Sequence, residues 1–386
     1  MSELITKSFD ELNSYLKKKS LQDRFKGYDP FDGLNSPVIT KSILGKSRLI
    51  RLAWIQFFKR SPINLRKLAF IKPGYNPQAL GLFLSSYSLL YKKFKLPEDL
   101  ETINYLVDKI NETKINGYTG ACWGYNFSWQ ARAFYQPINT PMIVPTAAVF
   151  NGLLDANEIL VSNEVNDLAL STKEFVLNDL NRTYEDKNFA FSYSPLDKTV
   201  VYNASLMASK ILARIYNINN DKDLLPTIKA SVKFCIDNQH TSGSWTYGTK
   251  SYHQWIDNFH SGYNIECLVD ISKYLGSEQY QENIDRGYNY YISTFFDEMG
   301  RSKYYSNKLY PIDINNPAQL LVVLSTLNKN KDLAELVMNW TSTYMQDANG
   351  FFYYRKYQSY KNKISYLRWS QAWMHYGMAK YLFETN

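Results

Sequence analysis

The sequence predicts an all-α chain, folded as an (α/α)6 toroid of six inner and six outer helices with short β-hairpin loops on one rim. Three observations predict it. Apolar segments start near residues 77, 145, 202, 259, 317 and 369, a spacing of roughly 55–70 residues that marks an array of like units. More polar segments, apolar along one stripe only, alternate with them. Long stretches rich in Gly and aromatic residues precede the apolar segments, and links such as YLGSEQY and LNKNKDL follow them. All chain loops that enter inner helices therefore share one rim.

The first inner helix reads NPQALGLFLSSYSLLY, with Asn76 as cap and Pro77 at the first helical position. The second starts at Val144 and Pro145, the third at Tyr202 and Asn203, and the fourth at Phe259 and His260. The fifth repeats the cap signal at Asn316 and Pro317, and the sixth starts at Arg368 and Trp369. Segments such as EDLETINYLVDKINET, DLLPTIKASVKFCIDN and DLAELVMNWTSTYMQ supply outer helices. The whole of 1–386 reads as a single toroid domain, with 1–75 as an N-terminal helical extension or cap. Within it, GYDPFDGLNS (27–36) is a turn-rich loop folded over a rim. The run KSRLIRLAWIQFFKRSPINLRK (46–67) holds seven cations and no acid. It reads either as an outer helix that closes the ring or as a basic amphipathic segment against an anionic membrane.

Hydrophobic and charged contents of 45% and 21% are those of a folded globular chain. The 32 Tyr, 21 Phe and 8 Trp are in excess, and many fall in the rim loops, where rings can stack on sugars or simply pack. A formal net charge of +8 favours anionic partners. No zinc-finger spacing or RNP-type motif supports nucleic acid among them. Cys122, Cys235 and Cys267 have no paired spacing, the polar N-terminus has no signal-peptide core, and no run of some 18 apolar residues occurs. These features lead to the expectation of a cytoplasmic protein, in peripheral contact with the inner membrane face if 46–67 binds lipid. CIDNQH (235–240) has no second cluster to complete a metal sphere, and no phosphate-binding loop or dinucleotide fingerprint is present, so neither metal nor cofactor is expected.

Inner-helix N-termini carry unpaired N–H groups and partial positive charge, so residues there converge on one site. Asp257 in WIDNFHSGYN and Asp313 in YPIDINNPAQ occupy matching places in consecutive repeats. Two such carboxylates suit glycoside hydrolysis, although Asp is also a common helix cap. His260 and Tyr263 lie one turn apart on one helix face. With Asn203 or Asn258, they suit proton abstraction next to a uronate carboxylate, as in lyases and C5-epimerases. Arg368 and Arg132 are candidates to hold that carboxylate bidentately. Trp123, Tyr125, Trp129, Trp245, Tyr247, Trp255 and Trp369 are candidate stacking platforms.

The motifs GYDPFDGLNS, RLAWIQFFKRSPINLR, CWGYNFSWQAR, TPMIVPTAAVFNGLLDA, WIDNFHSGYN, YPIDINNPAQ and YLRWSQAW run nearly end to end. In them the chain resembles bacterial and archaeal proteins of capsule and exopolysaccharide biosynthesis clusters. More distantly, it is similar in architecture to unsaturated glucuronyl hydrolases, N-acylglucosamine 2-epimerases and uronate C5-epimerases. The resemblance implies a polysaccharide-linked role; the net charge and the candidate residues add the expectation of a carbohydrate-active enzyme on an acidic or lipid-linked glycan, acting by hydrolysis, elimination or epimerisation. A non-catalytic scaffold that binds such a glycan is the alternative.

Overall fold

The structure, a computed structural model, describes residues 2–130 and 135–384. The chain opens with α1 (Glu3–Lys17) and then crosses a rim with α2 (Arg48–Arg60). It continues through α3 (Pro77–Phe94), α4 (Pro97–Glu112), α5 (Ile143–Leu160), α6 (Asn163–Leu170), α7 (Tyr202–Asn219) and α8 (Leu224–Asp237). The remaining ring helices are α9 (Asn258–Leu275), α10 (Gln281–Phe295), α11 (Asn315–Leu327), α12 (Lys331–Met345) and α13 (Trp373–Glu384). The odd-numbered helices from α3 to α13 form the inner ring, each packed on its neighbours, and α13 returns to α3. They are buried nearly all round, whereas the outer helices bury one stripe, as Thr102, Ile103, Leu106 and Ile110 do on α4.

The outer ring is closed by α1, which packs on α12 and α13 through Ile5, Phe9, Leu12 and Leu16. The extension expected at 1–75 therefore divides: 3–17 belongs to the ring, and 26–75 lies over the rim. The basic run 46–67 does not close the ring, because α1 holds that place. Strand β1 (Lys26–Gly27) pairs antiparallel with β2 (Gly74–Tyr75) and ties the two ends of the rim segment together.

Turn chemistry explains the short far-rim links. The first five inner helices end on a left-handed residue: Lys95, Val161, Asn220, Gly276 and Asn328. This conformation reverses the chain within a residue or two. Val161 adopts it at φ 48° despite its β-branch, against the steric preference of such side chains. Helices α3 and α5 approach closely because a Cβ at Gly81 would meet the Ala148 carbonyl carbon at 2.5 Å and one at Gly152 the Gly81 oxygen at 2.6 Å. Asn76 caps α3 as expected, accepting from Gln78 and Ala79 N–H. Asn316 does not cap α11, which begins one residue earlier; its amide instead donates to the Lys303 carbonyl.

On the near rim, hairpins form where aromatic and polar residues alternate. Strands β3 (Trp129–Gln130) and β4 (Tyr135–Gln136) pair, as do β5 (Arg182–Glu185) and β6 (Asn188–Phe191). A three-stranded sheet joins β7 (Ile312–Asp313), β8 (Arg355–Lys356) and β9 (Lys361–Asn362). Deeper in the ring, two to three turns along the inner helices, buried and half-buried ion pairs bridge neighbours. Lys210 meets Glu266 at 2.9 Å and Asp270 at 2.5 Å, and Arg214 meets Asp155 at 2.7 Å. These charged groups lie below the end where the hairpins stand.

Candidate active site

The inner-helix N-termini and near-rim loops enclose a cavity of about 1100 Å³, large enough for more than one sugar ring. Asp257 caps α9, accepting from the His260 backbone N–H at 3.1 Å. Its carboxylate also takes the His260 ring, with Nδ1 at 2.9 Å and 2.8 Å from the two oxygens, and the Trp255 indole N–H at 2.9 Å. A carboxylate only accepts, so Nδ1 donates and Nε2 is left as the basic nitrogen. Asp257 is 2% exposed, while the His260 side chain keeps 21% of its surface in the cavity. The cap thus fixes helix start, imidazole orientation and tautomer with one side chain.

Aromatic rings wall this dyad. Tyr247 stacks on Trp255 at 4.7 Å and 13°, and its ring lies 4.6 Å from that of His260. Tyr263, one turn on, also lines the cavity. Burial holds its hydroxyl pKa well above the usual phenol value, as it does for Tyr193 and Tyr304, so these hydroxyls remain proton donors. Asn203 lines the cavity too, with its buried side-chain oxygen unpartnered. Asn258 instead accepts from Tyr291 and faces the core. Tyr125, Trp129, Trp369 and Arg368 complete the sequence-derived residues that the cavity gathers.

Several expected site residues lie elsewhere. Trp123 and Trp245 are core residues, buried and bonded through their indole N–H to the carbonyls of Ile110 and Cys235. Neither presents a face to the cavity, because a fully packed indole satisfies its one donor internally. Asp313 is fully buried beneath the cavity wall, ion-paired with Arg355 and accepting from the Trp369 indole at 2.8 Å. Arg368 does reach the wall, but its fork is closed on Asp29 at 2.6 Å and 2.9 Å, with Gln78 at 3.1 Å. A carboxylate of the chain itself occupies the place expected for the substrate's. Arg132 falls outside the described residues.

Sequence reasoning missed Phe31, Lys59, Asn315 and Arg355, all of which line the cavity. The signal for Phe31 was GYDPFDGLNS, whose Asp29 and Asp32 are bolted down by Arg368 and Arg66. Arg66 also reaches Tyr366 and the Asp29 carbonyl. Burial raises the Asp32 carboxyl to about 6, against the opposing pull of Arg66. Lys59 was seen only as part of a basic run.

No family model matches the chain, and no curated protein matches it. Solved structures do. A sugar epimerase from a ruminal bacterium superposes with TM-score 0.64 and 13% identity, over 80% of this chain and 87% of that one. Cellobiose 2-epimerase from Bacillus thermoamylovorans gives TM-score 0.64 and 13% identity, over 80% and 88%. A glycosyl hydrolase family 88 protein from Bacteroides vulgatus gives 0.55 and 12%, over 83% and 97%. These likenesses fix the fold. The (α/α)6 toroid expected from the period of the sequence is the fold of the chain.

Proposed function

We propose that the chain is a carbohydrate-active enzyme that moves a proton at a sugar carbon, with His260 as base and Tyr263 as a proton donor. One observation carries this reading: the Asp257-held imidazole lies in an aromatic-walled cavity with Nε2 as its basic nitrogen. Hydrolysis by paired carboxylates is less well supported, because Asp257 is the one carboxylate among the described cavity-lining residues and Asp313 is locked in an ion pair. The C–H to be broken must be acidified by a neighbouring carbonyl or carboxylate, as at C2 of an open-chain aldose or C5 of a uronate. Asn203 offers an acceptor for a sugar hydroxyl. The solved neighbours include epimerases, which agrees with this chemistry. The net charge of +8 favours an acidic or lipid-linked glycan as substrate, and the resemblance to capsule and exopolysaccharide proteins agrees with a polysaccharide role.

The test is incubation in D2O with neutral disaccharides and with uronate-containing oligosaccharides, read by NMR. Deuterium entering C2 or C5, and lost in His260→Asn, is the expected result. New reducing ends without deuterium uptake would replace this reading by hydrolysis. Binding without any reaction would replace it by the non-catalytic scaffold.

A second surface bears on location. No helix among the described residues is long and apolar enough to cross a membrane. On the outward stripe of α2, however, Leu49 is 75% exposed and Phe57 52%, and beyond it Ile63 and Leu68 are exposed among cations. Apolar residues flanked by Lys and Arg suit an anionic bilayer surface. We infer that this face rests on such a membrane. Co-sedimentation with phosphatidylserine vesicles, abolished by Leu49→Glu with Phe57→Glu, tests it.

A further inference from the structure

Helix α2 has three faces. Ile55 and Phe58 are buried, Leu49 and Phe57 point outward, and Leu52, Gln56 and Lys59 line the cavity. Its last turn is tied to the hairpin after α12: Asn362 donates to the carbonyls of Lys59 and Ser61, and Tyr360 to that of Arg60. That hairpin carries Arg355. Lys59 and Arg355 therefore share one wall of the cavity.

The polar groups of this wall are not spent on each other. Arg355 gives its Nε to Asp313 and lies between Tyr304 and Tyr354, its guanidinium carbon 4.7 Å from each ring centre. Its Nη2 is buried and without a partner. Asn315, at the start of α11, is 1% exposed and lines the cavity, with both amide atoms unpartnered. Lys59 has no carboxylate within ion-pair distance among the described residues; its ammonium lies 4.2 Å over the Phe31 ring. Asp313 organises the set, holding the Arg355 side chain and the Asn315 backbone N–H, the latter at 3.0 Å. Buried, unpartnered donors on Arg355 and Asn315, beside a half-buried lysine with no described carboxylate at ion-pair distance, are what an oxyanion requires.

We propose that Lys59, Arg355 and Asn315 form an oxyanion subsite, which takes a carboxylate or phosphate carried by the sugar whose proton His260 moves. The assignment rests on the carbohydrate reading above and adds the class of substrate: an anionic sugar. Burial, and then the Arg355 guanidinium, hold the Lys59 ammonium well below its usual pKa. A bound anion would restore that charge. The N-terminus of α11 adds its own partial positive charge.

The experiment is calorimetric titration of the full chain with glucuronate and with glucose 1-phosphate, against glucose as neutral reference. The wild type is expected to bind one of the two anions at least tenfold more tightly than glucose. The tighter one identifies carboxylate or phosphate. Lys59→Met and Asn315→Ala should each lose about tenfold for the anion and leave glucose unchanged, with unaltered thermal midpoints. Arg355→Lys serves as the conservative third variant, because outright removal would leave Asp313 buried and unpaired. His260→Asn should keep the anion affinity while losing deuterium exchange, which separates this subsite from the catalytic reading. Equal binding of glucose and both anions, unchanged anion binding in Lys59→Met and Asn315→Ala, or loss of anion binding in His260→Asn would each overturn the proposal.

Discussion

Asp257 and Asp313 stand at equivalent points of consecutive repeats, each just before or at the entry to an inner helix and each accepting an indole N–H, from Trp255 and Trp369 respectively. Their partners differ. Asp257 holds a histidine, and the pair lines the cavity. Asp313 holds an arginine and is sealed from it. An imidazole can release and take a proton near neutral pH, whereas a guanidinium cannot. The repeat supplies the carboxylate, and on the proposed reading the partner decides whether it supports proton transfer or anion binding.

The strongest way to break this contrast is to change the chemistry at Asp257 without changing its structural role. Asn caps helices about as well as Asp, so Asp257→Asn should leave the thermal midpoint nearly unchanged. It should still cost exchange activity, because an amide does not enforce the productive tautomer. His260→Asn removes the base itself. Losses of about 10²–10⁴-fold in deuterium exchange are expected for each. Asp257→Asn with full activity would sink the dyad.

At the other repeat the expected loss is of stability. Asp313→Ala leaves Arg355 buried without its counter-ion and should cost about 3–5 kcal/mol by chemical denaturation. Asp313→Leu combined with Arg355→Met should recover most of that stability, since a packed apolar pair replaces a buried ion pair at little cost. Anion binding should not return with it. Recovery of both would show that Arg355 serves packing alone.

The dyad could be read from sequence and its counterpart could not, for a physical reason. Asp257, His260 and Tyr263 lie within seven residues, and helix geometry alone places them together. Arg368 meets Asp29, and Lys59 shares a cavity wall with Arg355, only because the ring brings distant segments together. Sequence periodicity showed the inner helices, since burial on all sides leaves a continuous apolar run. It did not show that α1 closes the ring, because α1 carries the same single stripe as any surface helix. Trp123 and Trp245 illustrate the same limit: a loop Trp and a core Trp are identical until the packing is known.

A third titratable site sharpens what the carboxylate does for a histidine. His375 is buried in the core with Ser86 Oγ 2.7 Å from Nδ1 and no carboxylate beside it. Burial holds its pKa down to about 3, against 6.5 when unfolded. The folded chain therefore keeps it neutral while the unfolded chain takes up a proton below pH 6.5. This contribution to stability is full above that pH and is lost as pH falls toward 3. Between pH 7 and pH 5 the loss from this residue is about 2 kcal/mol. His375→Gln should flatten the acid limb of the denaturation midpoint by that amount; an unchanged limb would show that His375 does not govern it.

The smallest effects compare the two indoles directly. Trp369 is 8% exposed and Trp255 37%, so water can replace a donor lost at Trp255 more readily than one lost at Trp369. Trp369→Phe should cost about 1.5 kcal/mol of stability, because a buried carboxylate loses a charge-assisted bond. Its indole bonds Asp313 and not the Asp257–His260 dyad, so the exchange rate should stay where it is. Trp255→Phe keeps the ring stacked on Tyr247 and should cost less than about 1 kcal/mol. With one donor fewer, Asp257 is held less firmly and orients the His260 ring less well. Exchange should therefore slow in Trp255→Phe alone. A loss of equal size in both variants would mean that Asp313 also supports the proton transfer, and the division of labour between the two repeats would fail.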